Sequence, residues 1–291
     1  MAVAASHAVS FATLLKLGRV SNVPTVWTNV LAGTVLAGGD WRSARTGLVL
    51  VAMSLFYIGG MYLNDYFDRA IDARERPQRP IPAGEISAAA VRAIGFALLA
   101  GATALMLAAG MTAAIVGLVL ALCIVGYDLR HKGVALAPAV MGACRALVYC
   151  GAAAAAVGGI SGTVAFAALA AAAYVAGLTY AARQESLDKI GSLWPLALLA
   201  LPLVPASAAF DHGPVAIAFY AALVGWGICA TYLLVRRPIA GAVSRAVAWL
   251  IAGLSLVDAA FLAGAGAVVP ACWAVAGFGA TLALQRHIAG T

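Results

Sequence analysis

Apolar residues run along this chain in long blocks separated by short polar stretches. Blocks long enough to be membrane helices lie near 22–39, 46–64, 90–109, 111–127, 134–157, 163–182, 191–210, 214–235, 245–263 and 267–285. A hydrocarbon core of roughly 30 Å needs about 20 apolar residues per helix. The pattern therefore predicts an all-α, polytopic transmembrane bundle of about ten helices, in one domain over 1–291. Residues 1–15 are mildly apolar, with no clear charged start and cleavage site.

Composition sharpens this picture. Of 291 residues, 64% are hydrophobic and 10% charged, with a mean hydropathy of +0.98. Soluble proteins carry about 25% charged residues. Basic residues set orientation. With a cytoplasmic N-terminus, every Lys and Arg except Arg42, Arg45 and Arg145 falls on one side. That side is read as cytoplasmic, in a bacterial inner membrane. The net charge of +7 is then a topology signal, and no basic–aromatic pattern points to nucleic acid. The five cysteines sit singly, with no zinc spacing. No protein partner can be inferred.

Two polar stretches, read as cytoplasmic loops, carry candidate chemistry: an Asp-rich loop over 64–88 and a second loop over 183–190. The first reads Asn-Asp-Tyr-Phe-Asp-Arg-Ala-Ile-Asp-Ala-Arg-Glu-Arg-Pro-Gln-Arg-Pro-Ile-Pro-Ala-Gly over 64–84. Asp65, Asp68 and Asp72 stand at i, i+3 and i+7, on one helical face. Three such carboxylates repel unless a cation sits among them. Clustered oxygen donors suit Mg2+, which binds through a few carboxylates plus substrate phosphates. Arg69, Arg74, Arg76 and Arg79 share the segment and suit the phosphates. Pro77, Pro80 and Pro82 end the helix, Gly84 permits a turn and Ser87 is a plausible N-cap. Within the membrane, Arg145 marks a site or a buried pair. Asp258 reads as paired with a buried base or placed near a helix end. The small residues of 151–159 either pack helices closely or leave room for a long apolar ligand.

The first segment resembles the UbiA superfamily of intramembrane prenyltransferases. Asn64, Asp65, Asp68 and Asp72 match its Asn-Asp-x-x-Asp-x-x-x-Asp signature, and residues 76–84 match the Arg-Pro-x-Arg-Pro-Ile-Pro-x-Gly that follows. The stretch from Arg19 to Gly33 also looks like the family's N-terminal helix. The second segment departs from the pattern. Glu185 and Asp188 are its only carboxylates, with Arg183 where an acid is expected. Its Arg-Gln-Glu style resembles the EboC branch, encoded in bacterial secondary-metabolite clusters. The family usually has nine helices, so a tenth would be an addition.

The resemblance implies Mg2+-dependent transfer of an isoprenyl group from an isoprenyl diphosphate to an unidentified aromatic or other small acceptor. Asp65, Asp68 and Asp72 would bind Mg2+, assisted by Asn64. Arg76, Arg79, Lys132, Arg145 and Lys189 would be phosphate partners, with Glu185 and Asp188 completing the substrate site. Tyr57, Tyr62, Tyr149 and Tyr180 are candidates to shield an allylic cation. The eroded second motif also allows a non-catalytic isoprenoid carrier.

Overall fold

The computed structural model describes residues 9–130, 134–183, 192–288 and 290. No strand occurs among them. Eleven α-helices follow in chain order: α1 Phe11–Leu17, α2 Val23–Leu36, α3 Ala44–Glu75, α4 Ala88–Ala109, α5 Met111–Arg130, α6 Ala137–Val157, α7 Gly162–Ala182, α8 Leu203–Ala206, α9 Pro214–Arg236, α10 Ala242–Gly264 and α11 Val268–Gln285. Nine helical stretches among the described residues are long and apolar enough to cross a membrane. The tenth block, 22–39, forms α2, which has only 14 residues. It is nonetheless central, packing on α6, α10, α11 and α3.

Three elements differ from the sequence pattern. The block at 191–210 is not one regular helix. It forms a 3₁₀ stretch Trp194–Ala200, then α8, then a second 3₁₀ stretch Ser207–Asp211. Pro195, Pro202 and Pro205 each remove an amide donor and crowd the preceding turn. A short helix, α1, precedes α2. Its N-cap Ser10 accepts from the Thr13 amide. Finally, α3 does not stop where its apolar run does. It continues for 32 residues to Glu75, so residues 64–75 are helix rather than loop. Pro77 is the first residue in this stretch that opposes a helix, and Arg76 before it leaves helical geometry at φ −141° and ψ 61°. Beyond it, Gly84 takes φ +74°, and Ser87 caps α4 through the Ala90 amide.

Two packing features position the site. First, 83% of the membrane-spanning window of α10 is buried, as expected of a core helix. Second, small residues bring backbones together. A Cβ on Gly33 of α2 would lie 2.6 Å from the Tyr149 carbonyl oxygen of α6. A Cβ on Gly151 would meet the Met53 methyl at 2.5 Å, and Ala152 to Ala155 are buried. Residues 151–155 of the small-residue run therefore serve helix packing.

Gly33→Ala would press a methyl onto backbone that cannot rotate away. Overpacking of this kind costs about 1–3 kcal/mol. A lowered thermal midpoint in detergent is expected; an unchanged midpoint would show that α2 and α6 separate freely.

Candidate active site

The length of α3 decides the site. Because the helix runs past its apolar segment, Asn64, Asp65, Asp68 and Asp72 sit on its inner face, all buried. Asn64, Asp68 and Asp72 border a cavity of about 680 Å³, whose lining also includes Arg19, Arg76 and Arg79. The opposite walls come from α7, through Thr179 and Arg183, and from α10, through Ser244, Val247 and Ile251.

Arginines answer the carboxylates. Arg79 reaches back from the loop after α3, and its Nη1 donates to Asp65 Oδ1 at 3.1 Å and to Asp72 Oδ2 at 3.0 Å. Arg19 Nη2 donates to the same Asp65 oxygen at 3.1 Å and to Asn64 Oδ1 at 3.3 Å. Arg19 lies between α1 and α2 in the left-handed region, at φ 41°. That conformation is uncommon for a residue with a side chain and clusters at functional sites. Asn64 uses its amide nitrogen on Asp128 Oδ1, 3.2 Å away on α5. Asp128 is therefore a fourth buried acid at this end of the bundle.

A smaller, mostly apolar arm of about 100 Å³ adjoins the cavity, lined by Met53, Phe56, Leu120, Ile124 and Val148 among others. Tyr57, Met61, Tyr127, Met141, Arg145 and Val175 border both spaces and mark the junction.

These donors fit Mg2+. Hard oxygen ligands stand on one helical face, and the adjoining space is large enough for a diphosphate. Among the described residues no three acidic, His or Cys side chains converge on one ion position. Asp65 and Asp72 turn to Arg79 instead. A preformed cage is unnecessary, since Mg2+ keeps waters and draws ligands from substrate phosphates.

The structure brings together Asn64, Asp65, Asp68, Asp72, Arg79 and, at the junction, Arg145. Arg76 is exposed on the cavity wall. Lys132, Glu185, Asp188 and Lys189 lie outside the described residues. Of the four candidate tyrosines only Tyr57 borders the cavity. Tyr62 donates to the Leu14 carbonyl, Tyr180 to the Ser192 carbonyl and Tyr149 to Asp258. Asp258 lies inside α10 rather than at its end, and among the described residues no base comes within ion-pair distance of it, although Arg145 acts on it electrostatically. It accepts from three neutral donors, Thr28, Asn29 and Tyr149. The sequence reading missed Arg19, Tyr127 and Asp128. The clue for Asp128 was an acid ending an otherwise apolar helix. Arg19 had looked only like a topology charge.

Comparison with known proteins agrees with this architecture. The UbiA prenyltransferase family profile matches residues 25–289. The chain belongs to the UbiA prenyltransferase family. It is similar to digeranylgeranylglyceryl phosphate synthase of Methanothrix thermoacetophila, 45% identical over 76 residues, which is 26% of this chain and 28% of that protein. The enzyme of that name from Saccharolobus solfataricus is 31% identical over 129 residues, 43% of this chain and 45% of the relative. The matches thus span less than half the length of these curated relatives. Among solved structures, a UbiA homolog from Aeropyrum pernix superposes with a TM-score of 0.66 at 20% identity, covering 82% of this chain and 96% of that one. A UbiA homolog from Archaeoglobus fulgidus bound to GPP and Mg2+ gives 0.59 at 13% identity, covering 86% and 99%. These likenesses establish the fold. With nine apolar spans among its described residues, this UbiA-family chain is an integral, multi-pass membrane protein.

Arg79 neutralises two buried carboxylates, and removing one partner of such a set costs on the order of 3 kcal/mol. Arg79→Gln should lower the thermal midpoint, and millimolar Mg2+ should restore it by filling the gap between Asp65 and Asp72. A midpoint in Arg79→Gln that Mg2+ does not move would show that these carboxylates do not accept a divalent cation.

Proposed function

We propose that the protein is a Mg2+-dependent intramembrane prenyltransferase. It would move an isoprenyl group from an isoprenyl diphosphate to a small acceptor. The observation carrying this reading is the buried Asp65–Asp68–Asp72 face, bordered by arginines and opening into an apolar arm.

Asp65, Asp68 and Asp72 would hold Mg2+, with Asn64 and Asp128 fixing the helix face behind them. The metal, when bound, neutralises charge on the departing diphosphate. Arg79 and Arg19 are free to trade a carboxylate oxygen for a phosphate oxygen, and Arg76 stands exposed beside them. The apolar arm would take the prenyl chain and exclude water from its reactive end. The allylic C1–O bond breaks, and diphosphate leaves with the electron pair. An acceptor nucleophile then bonds to C1 and releases its proton to cavity water. Tyr57 and Tyr127, at the junction, present aromatic rings to the developing cation.

The basic ends of α3, α5 and α9, with Arg183 at the C-cap of α7, support a cytoplasmic mouth for the cavity. A single domain, a bacterial inner membrane and an EboC-like role in secondary metabolism remain parts of this same reading. The relatives' names favour a glyceryl phosphate acceptor over an aromatic one.

The test is diphosphate release by purified protein in lipid nanodiscs. Isoprenyl diphosphates of several lengths and a panel of acceptors would be supplied. Release should require Mg2+, stop on chelation and fall at least about 100-fold in Asp68→Asn, since this variant removes transition-state charge stabilisation. Donor binding without release across the whole panel would identify an isoprenoid carrier instead.

A further inference from the structure

One hydrogen-bonded chain enters the junction of cavity and arm from a helix that lines neither space. It starts at Gln285, the last residue of α11, and ends at the hydroxyl of Tyr57 on α3. Gln285 Nε2 donates to Asn22 Oδ1 at 3.0 Å and to the Ala248 carbonyl of α10 at 3.3 Å. Asn22 closes the 3₁₀ turn Val20–Asn22 ahead of α2. Its Nδ2 donates to the Tyr57 hydroxyl at 3.2 Å and to the Gly290 carbonyl at 2.9 Å.

Each amide can point only one way. A carbonyl oxygen accepts and cannot donate. The Ala248 carbonyl therefore turns the Gln285 amide nitrogen toward itself, and the Gly290 carbonyl does the same for Asn22. Asn22 Oδ1 is left facing Gln285, so the two amides fix one another. Asn22 is only 3% exposed, which leaves water little part in holding it. The Tyr57 hydroxyl thus accepts from a donor that cannot turn away.

Tyr57 matters because of where it stands. It borders both the large cavity and the apolar arm, eight residues before Asp65 on α3. At 1.5 Å per residue that is roughly 12 Å further into the bundle. A diphosphate on the aspartate face and a prenyl chain in the arm would place the allylic carbon between them, alongside this ring. A ring attracts a cation over its face, most strongly away from water. Holding the phenol oxygen fixes χ1, and hence where the ring stands.

We propose that Gln285 and Asn22 are positioning residues that hold the Tyr57 ring against the allylic cation formed as diphosphate leaves. The inference rests on the prenyl-transfer reading. Asn22 itself borders the cavity, whereas Gln285 borders neither space. The effect of Gln285 on the cation therefore passes through Asn22, and Gln285 is the place to break the chain.

The experiment is equilibrium binding of a cation mimic to the full chain in nanodiscs. Protonated geranylamine, with Mg2+ and inorganic diphosphate, imitates the separated ion pair, and geraniol is its neutral counterpart. The amine should bind at least about tenfold tighter than the alcohol, an excess that Tyr57→Leu cuts about fivefold and Gln285→Leu about threefold. In the Tyr57→Leu background, Gln285→Leu should leave the remaining excess unchanged, because the ring it holds is gone. Geraniol binding should be unchanged in Gln285→Leu, since a tether that merely shaped the cavity would affect both ligands alike. Four results would each overturn the proposal: no excess in the unaltered protein, an excess that Gln285→Leu leaves intact, an equal loss in both backgrounds, or equal weakening of amine and alcohol. Should Gln285→Leu not fold, Gln285→Met takes its place with the same expectations, being as long as glutamine but without donors. Diphosphate release tests prenyl transfer separately, because amine binding needs no turnover.

Discussion

Ionised groups within an apolar bundle must be answered by other groups, and this constraint organises the cavity end of the protein. Removing a charge from water costs several kcal/mol even after relaxation. The buried acids of α3 are accordingly met by guanidinium groups from outside the helix, Arg19 before α2 and Arg79 after α3. Asn64 bridges to Asp128 on α5, tying a second helix to the same face. Deeper in the bundle, Asp258 accepts from three neutral donors. The same demand that stabilises these groups leaves them suited to a polyanion and its cation. Arginines that hold carboxylates can hold phosphates, and carboxylates freed from arginine can hold Mg2+.

Backbone geometry makes these meetings possible. Arg19 reaches Asp65 because the chain breaks between α1 and α2 and turns through a left-handed residue. Arg79 reaches back because Pro77 ends α3 and the following turns return the chain beneath it. The polar cluster in the membrane depends on closeness of another kind. Gly33 lets α2 lie against the α6 backbone at Tyr149. At that separation Asn29 touches Arg145 and Tyr149, while Thr28 and Asn29 meet Asp258 of α10. One small residue thus allows three helices to share a single hydrogen-bonded network.

The cavity combines a polar mouth with an apolar arm because different helices supply the two parts. The mouth takes its charge from the far end of α3 and the segments flanking it. The arm takes Met53 and Phe56 from the earlier turns of α3, with Leu120, Ile124 and Val148 from α5 and α6. A head group and a chain of opposite solubility are thereby accommodated along one helix axis.

By itself the sequence determined the helical membrane class, because apolar runs of sufficient length and a scarcity of charge admit few other folds. It also determined the aspartate face, because a 3–4 spacing is local and survives any packing of the helix. The end of α3 was less legible, since polar residues fit a loop or an exposed helix turn equally well and only Pro77 separates the two. The 191–210 block misled because its hydropathy outweighed its three prolines. Only the tertiary structure decided which charges meet. Arg19 and Asp65 are 46 residues apart, Asn64 and Asp128 are 64 apart, and Asn29 and Asp258 are 229 apart. No local pattern encodes such pairings. They follow from the close approach of α2, α3, α5, α6 and α10 in a medium where an unanswered charge is too costly to leave.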